Sequence, residues 1–165
     1  MDAETVAWIA AAGTAVGALI GSASGGAVEF GLERLRQGRL ARIGARLLRV
    51  ELAFAASLIK LVENDSKWWV YYDMEMPAWE KYQDPLAGRL NAEEFEAVAQ
   101  SVGELRELWD KVRKAPRPEG RQYWTLGDDS VSSAHVLREH ATEAYNALAR
   151  VAKQERIEGC LLHDD

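Results

Sequence analysis

The sequence predicts an all-α protein, in which an N-terminal glycine-zipper transmembrane helix continues into a cytoplasmic antiparallel helical bundle. Three observations lead to this fold class. No charged residue lies between Glu4 and Glu29, and glycines recur every four residues within that stretch. Apolar residues then repeat in steps of three and four through most of residues 32–61. Two later segments, after Asn91 and after about Ser130, show the same helical spacing.

Residues 1–30 are predicted to contain the transmembrane helix. Thr5 to Val28 is 24 residues, which is roughly 36 Å of helix at about 1.5 Å per residue and enough to cross a hydrocarbon core of about 30 Å. Bulky residues occupy one side of this helix. The opposite side carries a glycine ladder, formed by Gly13, Gly17, Gly21 and Gly25. Small residues let a neighbouring backbone approach closely, so the ladder predicts a homo-oligomer through the membrane helix.

Three polar residues accompany the ladder. Ser22 and Ser24 lie at the edge of the small face, and Glu29 continues the four-residue spacing to the end of the span. A carboxylate can stay hydrated at a lipid–water boundary. These residues are therefore candidates for a pore wall or a boundary position.

A signal peptide and a buried helix of a water-soluble assembly are the alternatives to a membrane span. A signal peptide normally begins with a basic region, whereas this chain begins with Asp2 and Glu4. The low content of Leu, Ile and Phe in the segment keeps the second alternative open.

Residues 31–63 are predicted to form a basic, amphipathic juxtamembrane helix that completes the bundle. The apolar stripe consists of Leu32, Leu40, Ile43, Leu47, Val50, Phe54, Leu58 and Leu61. No proline precedes Pro77, so the membrane helix is expected to continue unbroken to about Glu63.

Arginines follow the span, whereas no Lys or Arg precedes it. The positive-inside rule therefore predicts a single-pass protein of the inner (cytoplasmic) membrane, with its N-terminus outside and its C-terminal domain in the cytoplasm. Arg34, Arg36 and Arg39 are expected to contact anionic lipid headgroups, at about 1 kcal/mol each. Arg46 and Arg49 are expected to lie on a solvated helix face.

Residues 64–158 are predicted to form the rest of the bundle. Turn-forming residues at 64–66 end the first helix, and residues 67–72 form either an extended cover for the bundle or an aromatic membrane anchor. Pro77 opens a short helix that Pro85 interrupts. Asn91 and Glu94 form a capping box for the next helix. A last helix begins at about Ser130, and residues 159–165 are expected to be a frayed tail.

Part of the chain resembles a diffuse group of uncharacterised bacterial single-pass membrane proteins. The resemblance covers roughly residues 5–110. It is carried by the membrane helix, the run Leu47-Leu48-Arg49-Val50-Glu51-Leu52, the segment Pro77-Ala78-Trp79-Glu80-Lys81-Tyr82 and the capped Glu93-Glu94-Phe95. It implies a membrane-anchored helical protein and supplies no catalytic residue. The regular glycine ladder is more pronounced here than in that group.

No residue set predicts catalysis, a metal site or a cofactor. His135 and His140 point about 140° apart on a helix, so both are expected to be solvated. The lone Cys160 suits a reducing compartment and is expected to be inert. Residues 61–165 carry 13 bases against 21 acids, so the body lacks the positive charge that nucleic-acid binding requires.

These features predict a non-enzymatic, membrane-anchored protein that self-associates through the glycine face. Its cytoplasmic domain is expected to bind an as yet unspecified protein partner. Two alternatives come from other classes of protein: a small homo-oligomeric pore former of the channel, holin or defence-effector type, and a soluble structural component of a large, for example viral, particle.

Overall fold

The computed structural model describes residues 3–69, 74–114, 119–120, 122–126 and 128–154, with the side chains of 3–28 and 128–132 left outside the description. The protein is mostly helical, in agreement with the predicted all-α class. The chain divides into two compact units, Met1–Arg39 and Leu40–Asp165.

The first helix, α1, runs from Ala3 to Asp65, so the prediction of one unbroken helix is confirmed. It ends at the predicted turn residues. Ser66 has a left-handed backbone with φ of 52°, and its N–H donates to the carbonyl of Val62 at 2.8 Å. This bond satisfies one of the carbonyls that a helix end leaves without a partner.

Helix α2 covers Pro77–Ala87, and Pro85 lies inside it. The prediction that Pro85 interrupts this helix is therefore wrong. The proline falls in the last turn of the helix. Its fixed φ is compatible with helical backbone, and few helical hydrogen bonds remain beyond this position to be disturbed. The helix ends two residues later, where the N–H of Gly88 donates to the carbonyl of Asp84 at 3.3 Å.

Helix α3 covers Ala92–Lys114 and begins with the predicted capping box. The N–H of Glu94 donates to Oδ1 of Asn91 at 2.7 Å. The carboxylate of Glu94 accepts the N–H of Asn91 at 3.0 Å. Both bonds satisfy N–H groups that the first helical turn would leave unpaired.

Helix α4 covers Asp128–Ala147, and a single turn, α5, covers Ala149–Ala152 after a break at Leu148. The sequence predicted a start at about Ser130 and no break. A small antiparallel sheet, absent from the sequence-based prediction, pairs β1 (Lys67–Trp69) with β2 (Tyr123–Thr125).

In the Leu40–Asp165 unit, α1, α3 and α4 form a bundle in which α4 runs antiparallel to the other two helices. Glu104 near the middle of α3 contacts His140 on α4, and Glu94 at the start of α3 bonds Arg150 on the following α5, so α3 and α4 run in opposite directions. Arg46 bonds the carbonyl of Ala152, and residues further along α1 meet earlier parts of α4, so these two helices are also antiparallel. The largest fully buried side chains form one core: Leu48, Leu52, Ile59, Val62, Trp68, Met74, Leu86, Val98, Val102, Leu105, Val112 and Leu148.

Candidate functional site

The glycine ladder, Ser22 and Ser24 lie in α1, within the stretch whose side chains are outside the described residues. The helical backbone there agrees with the predicted helix. Where side chains are described, no helix combines the length and apolar character needed to cross a bilayer. The predicted span at residues 5–28 lies outside those residues. Glu29 is described and exposed on the same helix.

Arg34, Arg36 and Arg39 are exposed on α1, as contact with lipid headgroups would require. The prediction for Arg49 is wrong. Its side chain is buried, its guanidinium lies 3.9 Å from the centre of the Tyr145 ring, and Nη1 donates to Oε1 of Gln154 at 3.0 Å. A guanidinium can be buried when an aromatic face and a hydrogen-bond acceptor replace its water.

Arg46 also differs from the prediction of a purely solvated side chain. Although it is exposed, its Nε donates to the carbonyl of Ala152 at 3.1 Å, at the end of α5. Carbonyl oxygens at a helix C-terminus have no N–H donor within the helix, so a cationic donor suits them. This arginine therefore joins α1 to the end of the described chain.

The face that α1 turns to the bundle is not the predicted stripe. The buried apolar residues there include four alanines, Ala41, Ala45, Ala55 and Ala56. The larger buried side chains among them include Leu48, Leu52, Ile59 and Val62. Of the predicted stripe within residues 40–65, Leu58 is buried and Leu40 is partly buried. Helix α4 presents alanines to the core, and small residues on both helices permit close packing.

The rest of the predicted stripe within residues 40–65 forms an exposed apolar surface, which we call the outer face of α1. It consists of Ile43, Leu47, Val50, Phe54 and Leu61, whose exposed fractions range from 39% to 68%. If each half-exposed side chain contributes somewhat under 100 Å², the five together expose on the order of 400 Å² of apolar surface. Apolar patches of this size on a protein surface are commonly functional.

One edge of the outer face is basic and the other is acidic. Arg42 and Arg46 are exposed along the first edge, whereas Glu51 and Asp65 lie along the second. The carboxylate of Glu51 also accepts the N–H of Ala78 at 3.0 Å, so it caps the start of α2 from a different helix. Partial burial raises the pKa of Glu51, and this hydrogen bond lowers it by a smaller amount.

A cavity of about 380 Å³ lies between the segment Met74–Pro77 and α3. Its lining carries both signs of charge: the acidic residues are Glu75, Glu80 and Asp110, and the basic residues are Arg106, which bonds Glu80 at 2.9 Å, and Arg113. Nε1 of the lining residue Trp109 has no hydrogen-bond partner. With three carboxylates against two guanidinium groups, the lining gives this cavity no strong preference for an anion or a cation.

Two polar side chains of α4, those of His140 and Arg138, contact carboxylates on other helices. Nδ1 of His140 lies 2.6 Å from the Glu104 carboxylate on α3, so the prediction that His140 is solvated is wrong. His135 is exposed beside Glu139, as expected. Arg138 is buried and bonds Glu63 on α1 at 3.1 Å. Among the described residues, no group of three or more His, Cys, Asp or Glu could hold a metal ion.

Among the described residues of the Leu40–Asp165 unit, the exposed large apolar side chains all lie on the outer face of α1 except Val136. Sequence periodicity identified the members of this face but assigned them to the core. Arg49 and Arg138 were missed because a charged residue in a helical pattern is normally solvated. Comparison with family models, with curated proteins and with solved structures finds no match.

Proposed function

We propose that the protein is a non-enzymatic, membrane-anchored helical protein that self-associates through the glycine ladder and presents its bundle to a protein partner in the cytoplasm. The observation that carries this proposal is the stretch from Thr5 to Val28, which has no charged residue and a glycine at every fourth position from 13 to 25. Membrane helices associate through such rows of small residues because lipid tails cannot fill the shallow face as well as another helix does.

Two further observations support an anchor. The helical backbone of α1 includes all of residues 5–28, so the segment has the secondary structure that satisfies backbone polar groups in lipid. Glu29 and the three arginines Arg34, Arg36 and Arg39 are exposed just after it. We propose that Glu29 lies at the lipid–water boundary and that the arginines bind anionic headgroups on the cytoplasmic side.

Substitution of the ladder tests this function. Gly17→Leu combined with Gly21→Leu blocks close backbone approach, so we expect the oligomer to dissociate, by about a hundred-fold or more in its dissociation constant. The control combines Ala12→Leu with Ala23→Leu, which places two leucines on the opposite side of the helix. The mass of each variant in detergent micelles is the measurement. Equal masses for the glycine variant and the unsubstituted protein would refute the ladder contact.

Two simple experiments distinguish the proposed function from two others. Ser22 and Ser24 at the edge of the ladder suit a pore wall, and a pore former would conduct ions through reconstituted liposomes whereas an anchor would not. A component of a large soluble particle would be recovered without detergent after cell fractionation. Either result would replace the proposed function.

A further inference from the structure

The outer face of α1 has the spacing of a helix–helix seam. Its residues, Ile43, Leu47, Val50, Phe54 and Leu61, follow one another in steps of four, three, four and seven. Ser57 divides the last step into three and four. Such alternation averages 3.5 residues, the repeat that keeps a narrow apolar stripe against the same stripe of a partner helix in a coiled coil.

We propose that the outer face binds the outer face of a second copy of this chain, in parallel and in register. This contact lies in the Leu40–Asp165 unit and goes beyond the proposed association of the membrane helix. Equivalent residues meet in such a pair, so Val50 of one chain packs against Val50 of the other. The contact is the same whether or not the glycine ladder mediates a second one.

The charges along the two edges favour the parallel arrangement. Arg42 and Arg46 border the outer face on one side, and Glu51 and Asp65 border it on the other. In a parallel pair the flanking positions on opposite edges face each other, so basic edges meet acidic edges. In an antiparallel pair each edge would meet its own kind, and like charges would repel.

The area of the face matches a dimer contact. The five apolar side chains present on the order of 400 Å² per chain. Protein interfaces are about 55–65% apolar, so this patch corresponds to about 700 Å² per chain and about 1,400 Å² in total, which is within the range of stable interfaces. A lipid surface would instead favour a broad apolar face with basic residues on both edges.

Disulfide cross-linking of the full-length protein tests the register. In a Cys160→Ser background, single cysteines replace Ile43, Leu61 or, as the control, Val136 on α4, which is 47% exposed and lies off the outer face. We expect the first two variants to form disulfide-linked dimers on mild oxidation and Val136→Cys to form at least about ten-fold less. An absence of links at both Ile43 and Leu61 would overturn the parallel register.

A matched pair of charged substitutions tests the contact itself. Leu47 and Val136 have nearly equal exposed fractions, 46% and 47%, so an arginine at either position has a similar effect on folding. Only Leu47→Arg brings two guanidinium groups together in the seam. We expect this variant to weaken dimer formation by at least about a hundred-fold, measured by sedimentation in detergent, while Val136→Arg does not.

The glycine variant separates this inference from the proposed function. The Leu61→Cys link should form in the Gly17→Leu, Gly21→Leu chain and should be lost on adding Leu47→Arg. If the link is lost with the glycine substitutions and is insensitive to Leu47→Arg, the ladder alone holds the chains and the outer-face contact is refuted. Binding of the outer face to vesicles of anionic phospholipid, with the protein remaining monomeric, would also refute it.

Discussion

Charged side chains of α1 complete the ends of other helices. Glu51 accepts the N–H of Ala78 at the start of α2, where no side chain of the neighbouring loop caps the helix. Arg46 donates to the carbonyl of Ala152 at the end of α5. A helix begins with excess N–H groups and ends with excess carbonyls, so a carboxylate and a guanidinium are the appropriate partners. Both contacts tie the position of a short helix to α1.

The pH dependence of stability should report the burial of Glu51. Because burial raises its pKa, the folded protein holds the proton more tightly than the unfolded chain, and Glu51 reduces stability as the pH rises through that pKa. Glu51→Gln removes this loss and keeps an oxygen acceptor for Ala78. We expect the variant to gain free energy of unfolding relative to the unsubstituted protein as the pH rises above about 4.5, the ordinary carboxyl value.

Glu107 provides a control of opposite sign. Lys111 lowers the pKa of this exposed carboxyl, so its contribution to stability is present above the pKa of the unfolded chain and is lost in acid. Glu107→Gln should therefore lose relative stability as the pH rises out of acid to about 4.5, the ordinary carboxyl value, and should show no further change above it. Urea unfolding of both variants in detergent micelles, followed by tryptophan fluorescence, measures the two trends. Trends of the same sign would contradict the assignment for Glu51.

At the scale of elements, the contact between α1 and α2 depends on a glycine. A Cβ atom built on Gly44 would clash with the Cβ of Tyr82 and lie 2.7 Å from its Cγ. Those atoms are close to the backbone of α2, so the tyrosine cannot move away by rotating its ring. Gly103 lies within α3, and a Cβ built there meets no atom within 4 Å.

Alanine at these two glycines should have opposite effects. Gly103→Ala removes the conformational cost of glycine in a helix, so we expect a gain of about 0.5–1 kcal/mol in the free energy of unfolding. Gly44→Ala makes the same local gain but forces α1 and α2 apart, with a net loss of about 1–3 kcal/mol. Chemical denaturation of the full-length chain gives both values. Equal shifts at the two positions would show that the α1–α2 contact tolerates the methyl group.

Periodicity predicted elements better than it predicted their faces. The bounds of α1 and the capping box at Asn91 follow from local signals, namely helical spacing and hydrogen bonds over three residues. The orientation of α1 does not, because the helix is apolar on two sides and the bulkier side, including Val50, is the exposed one. Close packing selects the alanine side, and this choice depends on the partner helix.

Contacts between residues that are far apart in the sequence could not be predicted from local sequence patterns either. The strands β1 and β2 each have three residues, which are too few to show a period. Trp68 is buried opposite Trp124 because these two strands, which are far apart in the sequence, pair with each other. Arg49 is accommodated by Tyr145 and Gln154 from the other end of the bundle. Of the candidate site, the apolar residues were recognised and their exposure was not.

At the scale of the whole molecule, the C-terminal end of the described chain packs into the core and bonds α1. Leu148 and Ala152 are fully buried. Arg46 and Arg49 on α1 bond acceptors at residues 152 and 154. The C-terminal turn therefore contributes both apolar packing and the partners of two cations on the first helix of the bundle.

Truncation should separate this turn from the tail. A chain that ends after Ala147 loses a buried leucine and leaves Arg49 buried without its amide acceptor, so we expect a loss of at least about 3 kcal/mol in the free energy of unfolding. A chain that ends after Glu158 removes only the predicted tail and should unfold like the full-length protein. Thermal unfolding followed by circular dichroism compares them. Comparable transitions for both truncations would contradict the role of α5.

The long sequence separation of these contacts has a consequence during synthesis. Arg46 and its acceptor are 106 residues apart in the chain. Translation adds about 5–20 residues per second, so the N-terminal part of α1 leaves the ribosome several seconds before the bundle can close. During that interval the alanine side and the outer face of α1 are both available to other molecules. Both surfaces of α1 are therefore synthesised and exposed before the C-terminal turn that packs against this helix exists.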